Sequence, residues 1–78
     1  MKKRSLVIVE WEDITTIRGW WDEEEAKEDT PLKCISVGWK LVSTKNHLSL
    51  IASRSENADC GDRITIPKGC IRSIRRIE

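Results

Sequence analysis

The sequence has no phenylalanine and no tyrosine, and its 78 residues include only three cysteines, two prolines and one histidine. The number of cysteines is odd and no two form a C-x-x-C pair, which argues against a disulfide scaffold. The apolar run near the start, Leu6 to Val9, is shorter than the ~7–15 residues of a signal-peptide core. No stretch approaches the roughly 20 apolar residues of a membrane span. We therefore expect a cytoplasmic protein with reduced thiols and no membrane partner.

Residues that could carry catalysis are equally scarce. His47 is the single histidine, and neither an Asp-His-Ser order nor a nucleophile-elbow motif accompanies it. Cys34, Cys60 and Cys70 fall on different predicted elements, without the clustered pairs of a zinc site. The sequence therefore predicts no enzyme, no cofactor, no metal site and no small-molecule substrate, with His47 in a structural or surface role.

The charges are strongly segregated, although the formal net charge is only +1. Residues 10–29 contain nine acidic and two basic residues, a net charge of −7. Residues 1–9 carry +3, and residues 30–78 carry +5 from nine basic and four acidic residues. Such asymmetry bears on binding partners more than on the fold.

Short apolar segments rich in β-branched residues predict five strands, over 6–9, 32–42, 47–53, 63–66 and 71–77. In the second, alternation predicts that Ile35, Val37 and Trp39 face the core, and Gly38 indicates a bend or bulge. The spacing of three in the last segment also fits a helix, but β-branched residues and the preceding turn favour a strand.

The acidic segment between the first two strands predicts a short helix. Residues 20–28 are long enough for two helical turns, with Asp22 as N-cap and Glu25 as its capping-box partner. Pro31 follows the predicted end. The fold expected for residues 1–78 is therefore a single all-β domain, a five-stranded barrel with an acidic, partly helical insertion after its first strand. A core of this size is marginal, which favours a homo-oligomer.

Two segments resemble the two short motifs of Sm-like barrels. The first motif is a glycine in a long bent strand, then a polar turn and an apolar strand, here residues 37–41, 43–46 and 47–50. The second is an apolar residue and a basic-Gly pair joining the last two strands, here Ile66 to Ile74. The resemblance covers residues 35–77. The first motif lacks the family's aspartate, the second is one residue short, and the same strand order suits other barrels of the Src-homology-3 type.

The resemblance implies a non-enzymatic protein that assembles into a ring, with the fourth strand of one subunit pairing with the fifth strand of the next. It also implies RNA binding by the two motif turns. The residues at the matching positions are Asn46 and His47 in the first turn and Lys68 in the second. Trimmed barrels of this kind are similar to phage-encoded ones, which implies a viral origin and a location in the host cytoplasm.

An alternative function follows from the acidic insertion, which Trp11, Trp20 and Trp21 flank. Tryptophan is enriched at protein interfaces, so Trp20 and Trp21, with Glu23 and Glu24, are candidates for contacting a basic protein. The chain would then be a protein-interaction or viral structural module. The simpler interpretations are that the tryptophans complete a small core and that the acids form a solvated loop.

A basic patch for phosphates is a further expectation, from Lys68, residues 2–4 and the arginines Arg72, Arg75 and Arg76.

Overall fold

The structure, a computed structural model, describes residues 3–78 and is mostly β. Lys2, one residue of the predicted basic patch, lies outside this range. The five predicted strands are all present, most of them longer than predicted: β1 (Leu6–Asp13), β2 (Leu32–Ser43), β3 (His47–Arg54), β4 (Cys60–Pro67) and β5 (Ile71–Arg76). A 3₁₀ turn, Lys68–Cys70, joins β4 to β5. The last segment is a strand, as favoured from its β-branched residues.

The strands form one antiparallel sheet in the order β4-β3-β2-β1-β5. Over residues 3–78, β4 pairs only with β3, and β5 pairs only with β1. The sheet is therefore open, with β4 and β5 as its two edges, and the closed barrel expected from the sequence is not observed. The part of that expectation that is confirmed is a small antiparallel all-β fold.

The core lies on one side of the sheet, here called the inner face. Val7 and Val9 of β1 pack with Leu48, Leu50 and Ile66, and all five are almost completely buried. Trp11 and Ile71 pack against this cluster. Because successive side chains of a strand point to opposite faces, Leu6 and Ile8 lie on the other side, the outer face, where they are half-buried.

The face of β2 that is directed toward the core is the opposite of the one predicted. Its register pairs Gly38 with the buried Val7, so Gly38 faces inward and Ile35, Val37 and Trp39 face outward. Ile35 and Val37 are 69% and 55% exposed. A Cβ at position 38 would lie 2.8 Å from the carbonyl oxygen of Ile51, so only glycine fits there. The prediction that Trp39 lies in the core is wrong, because alternation fixes which residues share a face but not which face is buried.

The two-turn helix predicted over 20–28 is also not supported. One helical turn, α1 (Glu23–Ala26), is present, and Asp22 at its N-cap makes no side-chain hydrogen bond to it. Every residue from 13 to 33 is exposed, so no packing stabilises a longer helix, and isolated short helices are marginal in water.

The molecule is elongated, with principal extents of 54 × 21 × 21 Å. Part of the reason lies in β1 and β2, which run on as a two-stranded arm beyond the last residues that pair with β5 and β3. The arm ends in the pair of Asp13 with Leu32, and the acidic insertion, residues 14–31, connects these two strands. No helix in residues 3–78 is both long and apolar enough to cross a bilayer.

Candidate functional site

The two motif turns, which are separate in sequence, meet in the structure. β3 pairs with β4 so that His47 lies opposite Pro67, which places Asn46 beside the 3₁₀ turn that begins at Lys68. The backbone N–H of Lys68 donates to the carbonyl oxygen of Asn46 at 2.8 Å. The three residues predicted to bind RNA, Asn46, His47 and Lys68, therefore form one cluster, here called the turn cluster.

Thr44 organises the first turn, a role that the sequence pattern did not predict. Its hydroxyl oxygen accepts from the backbone N–H groups of Asn46 and His47, both at 3.1 Å. The same oxygen lies 3.2 Å from Nδ1 of the His47 ring, with donor and acceptor set by the tautomer. A threonine at the start of a polar turn is the available signal, because its hydroxyl can replace a backbone partner.

Lys68 is held at the cluster by its side chain as well as by its backbone. Its Nζ donates to Oγ of Ser43 at 3.1 Å, which ties the second turn to the end of β2. Lys45 projects from the exposed first turn nearby. Residues 43–47 include no acid, so an ammonium group, an amide and an imidazole lie together without a neutralising carboxylate in that turn. Such a set can contact phosphates, hydrogen-bond base edges and stack on bases.

The turn cluster and the acidic insertion are at opposite ends of β2. β2 has twelve residues from Leu32 to Ser43, a strand length of up to about 36 Å. This exceeds the Debye length of ~8–10 Å at physiological salt. The negative charge of the insertion therefore does not oppose an anionic ligand at the turn cluster.

The insertion forms an open cleft of about 550 Å³ with aromatic walls and an acidic rim. Trp20 is fully exposed and Trp21 mostly so, and Nε1 of Trp21 donates to the carbonyl oxygen of Arg18 at 2.9 Å. Ile17 and Ala26 also line this cleft, with Glu25 and Asp29. Trp20 and Trp21 thus lie together with the predicted Glu23 and Glu24 on one exposed segment. Because both rings face solvent, they do not complete the core.

The other groups singled out in the sequence do not form a common site. Arg72 forms a salt bridge of 3.3 Å with Glu12, and the guanidinium of Arg4 donates to the carbonyl oxygen of Leu41. The three cysteines are free thiols. Within residues 3–78, no three histidine, cysteine or acidic side chains are grouped so as to hold a metal ion.

An apolar surface on the outer face is a second feature that was not predicted from sequence. Following the register across the strands, one row runs from Leu6 through Trp39 and the buried Ile51 to Arg63, and the next runs from Arg75 through Ile8 to Val37. Its signal is present in the sequence as apolar residues at successive positions of β1, which cannot all face one core.

Comparison of the chain with protein-family models, with curated proteins and with solved structures found no match.

Proposed function

We propose that this chain is a non-enzymatic, Sm-like β-module that assembles with copies of itself and binds single-stranded RNA at the turn cluster. The observation that carries the RNA proposal is the contact between the two turns, with the Lys68 backbone N–H on the Asn46 carbonyl oxygen. Asn46 offers an amide to a base edge, His47 a ring for stacking, and Lys68 an ammonium group to a phosphate.

The proposed assembly uses the two sheet edges. Unpaired N–H and C=O groups on an edge strand accept another strand by backbone hydrogen bonding. Addition of β5 of one copy to β4 of the next is a head-to-tail contact, which closes into a ring when its rotation permits. In a ring, each open edge of a sheet would pair with an edge of the neighbouring copy. The turn clusters would then be repeated around one axis.

A titration of fluorescein-labelled single-stranded RNA, followed by anisotropy over a range of salt concentrations, tests the RNA proposal. Lys68→Ala is expected to weaken binding and to lower the slope of log K against log[salt] by about 0.7, the value for one phosphate contact on a single strand. Lys33→Ala, at the far end of β2, is the matched control. Absence of binding at low salt, or equal losses in the two variants, would overturn the proposal.

A second proposed function is protein docking by the insertion, which the full exposure of Trp20 beside Glu23 and Glu24 favours. Aromatic side chains anchor interfaces, and the acidic rim selects a basic partner. An amphipathic peptide of lysine and leucine is a suitable probe. We expect it to shift the tryptophan emission of the wild type to shorter wavelength, but not that of a variant in which Gly-Ser residues replace 20–29. An equal shift in both proteins would contradict docking at the insertion.

A further inference from the structure

An antiparallel sheet normally buries one face and leaves a polar face to water. In this chain both faces of the central strands are apolar. The inner face has the core, while Ile35 and Val37 are exposed on the outer face next to half-buried Ile8 and Trp39. A contiguous exposed apolar surface marks an interaction site.

The outer apolar surface ends in an arginine at each edge of the sheet. Arg63 of β4 ends the row of Trp39 and Ile51, and Arg75 of β5 ends the row of Ile8 and Val37. Both arginines are exposed, and within residues 3–78 neither side chain makes a hydrogen bond or salt bridge. In the next row, Glu10 pairs with Ile35, and its carboxylate accepts a hydrogen bond from Ser73 at 3.0 Å. This surface therefore suits a ligand that is apolar in the middle and acidic around it.

The insertion of the same chain has this composition. It exposes Ile14, Ile17, Trp20 and Trp21, and residues 14–31 contain six acids against two bases. Each of its residues is exposed, so none of them is buried against the outer face of its own chain. Its place at the end of the arm projects it away from the sheet.

We propose that the insertion of one copy docks on the outer apolar surface of a second copy, and that the exchange is reciprocal. This inference rests on the second proposed function and names its partner. A two-fold symmetric exchange satisfies both copies at once, since each supplies one insertion and one surface. Trp20 and Trp21 contact Val37 and Ile35, while the acids of α1 meet Arg63 and Arg75. Direct stacking of two outer faces would instead bring like-charged arginines together.

An exchange of charges tests the proposal. One variant carries Glu23→Lys and Glu25→Lys, which leaves the existing pair of Glu24 with Lys27, at 3.0 Å, in place. The other carries Arg63→Glu and Arg75→Glu. All four positions are exposed, and far-UV circular dichroism checks that both variants keep the sheet. Association is measured by sedimentation velocity.

Each variant alone sets like charges against each other, so its self-association is expected to weaken about 100-fold or more. A mixture of the two restores complementary charges at both contacts and is expected to form a heterodimer. Arg76→Glu is the matched control, since Arg76 pairs with Val7, lies on the inner side, and should leave association unchanged.

The remaining outcomes each exclude the proposal. Wild-type protein that stays monomeric, or an insertion variant that associates as the wild type does, would exclude docking of the insertion on a second copy. The latter result would indicate edge pairing or face-to-face stacking. If the lysine and leucine peptide still shifts the emission while the mixture fails to associate, docking by the insertion stands and only its assignment to a second copy fails. As a second readout, Trp20→Ala and Val37→Ser should each weaken association without loss of the sheet.

Discussion

At the scale of single residues, Gly38 decides which side of β2 is buried. A Cβ there would lie 2.8 Å from the Ile51 carbonyl oxygen and 3.2 Å from Cβ of Leu50. Backbone atoms cannot yield as a flexible side chain can, so β3 would have to move. We expect Gly38→Ala to lower the free energy of unfolding by ~1–3 kcal/mol, measured by urea denaturation with tryptophan fluorescence.

Gly69→Ala is the control for this change, because the added Cβ has open space around it, with nothing beyond its chain neighbours within 4 Å. Its effect should stay within about 0.5 kcal/mol. Equal denaturation midpoints for the two variants would show that the close approach at Gly38 does not limit the strand pairing.

A second residue with a special backbone is Ala58, whose φ is +67°. A side chain in this left-handed region costs roughly 1–2 kcal/mol, which glycine avoids at some expense in chain entropy. Ala58→Gly is therefore expected to be neutral or to stabilise by up to about 1 kcal/mol. Ala52→Gly, inside β3, should destabilise by about 0.5–1 kcal/mol. Thermal unfolding compares the two, and an equal loss in both would contradict the role of φ.

At the scale of elements, the strands were predictable but their faces were not. Apolar runs and turn residues predict where β1 and β3 lie, since the pattern is local. The alternation in β2 is equally compatible with either face inward. Its outcome depends on pairing with Val7 and on the close contact at Gly38, and neither is visible in a periodicity.

The candidate site divides in the same way. The resemblance of the two turns to Sm-like motifs is enough to indicate Asn46, His47 and Lys68 from the sequence. Their meeting depends on the β3–β4 register, and the part of Thr44 depends on a turn geometry that composition does not specify. Capping rules overestimated the length of α1, because they describe how a helix begins and not whether anything packs against it.

The arm of β1 and β2 should be the least stable part of the sheet. In the sheet of residues 3–78, the only strand partners of Glu12 and Asp13 are Lys33 and Leu32, and two-stranded ribbons are marginal in water. In hydrogen exchange under monomeric conditions, amides of the arm are expected to exchange at least about tenfold faster than those of Val7 to Val9. Uniform protection along the hairpin would contradict this order of stability.

At the scale of the whole molecule, three properties agree with the proposed assembly. The protein is far longer than it is wide, its sheet has two open edges, and both faces of its central strands are apolar. The fully buried apolar side chains found in residues 3–78 are few: Val7, Val9, Leu48, Leu50, Ile51 and Ile66. A core of this size rarely contributes more than ~3–5 kcal/mol of net stability. Assembly of the folded copies would add to this net stability.

Stability should therefore depend on protein concentration. A dimer that forms only from folded chains shifts the unfolding equilibrium by mass action, so the thermal midpoint of the wild type is expected to rise with concentration. The insertion variant Glu23→Lys/Glu25→Lys, studied alone, should show a smaller rise, because its docking contact is repulsive. Mixing it with Arg63→Glu/Arg75→Glu should restore the dependence, since both contacts regain opposite charges. A midpoint that is independent of concentration, over a range in which sedimentation shows association, would mean that unfolded chains associate as well as folded ones do. Docking on the outer face would then add nothing to the stability of the fold.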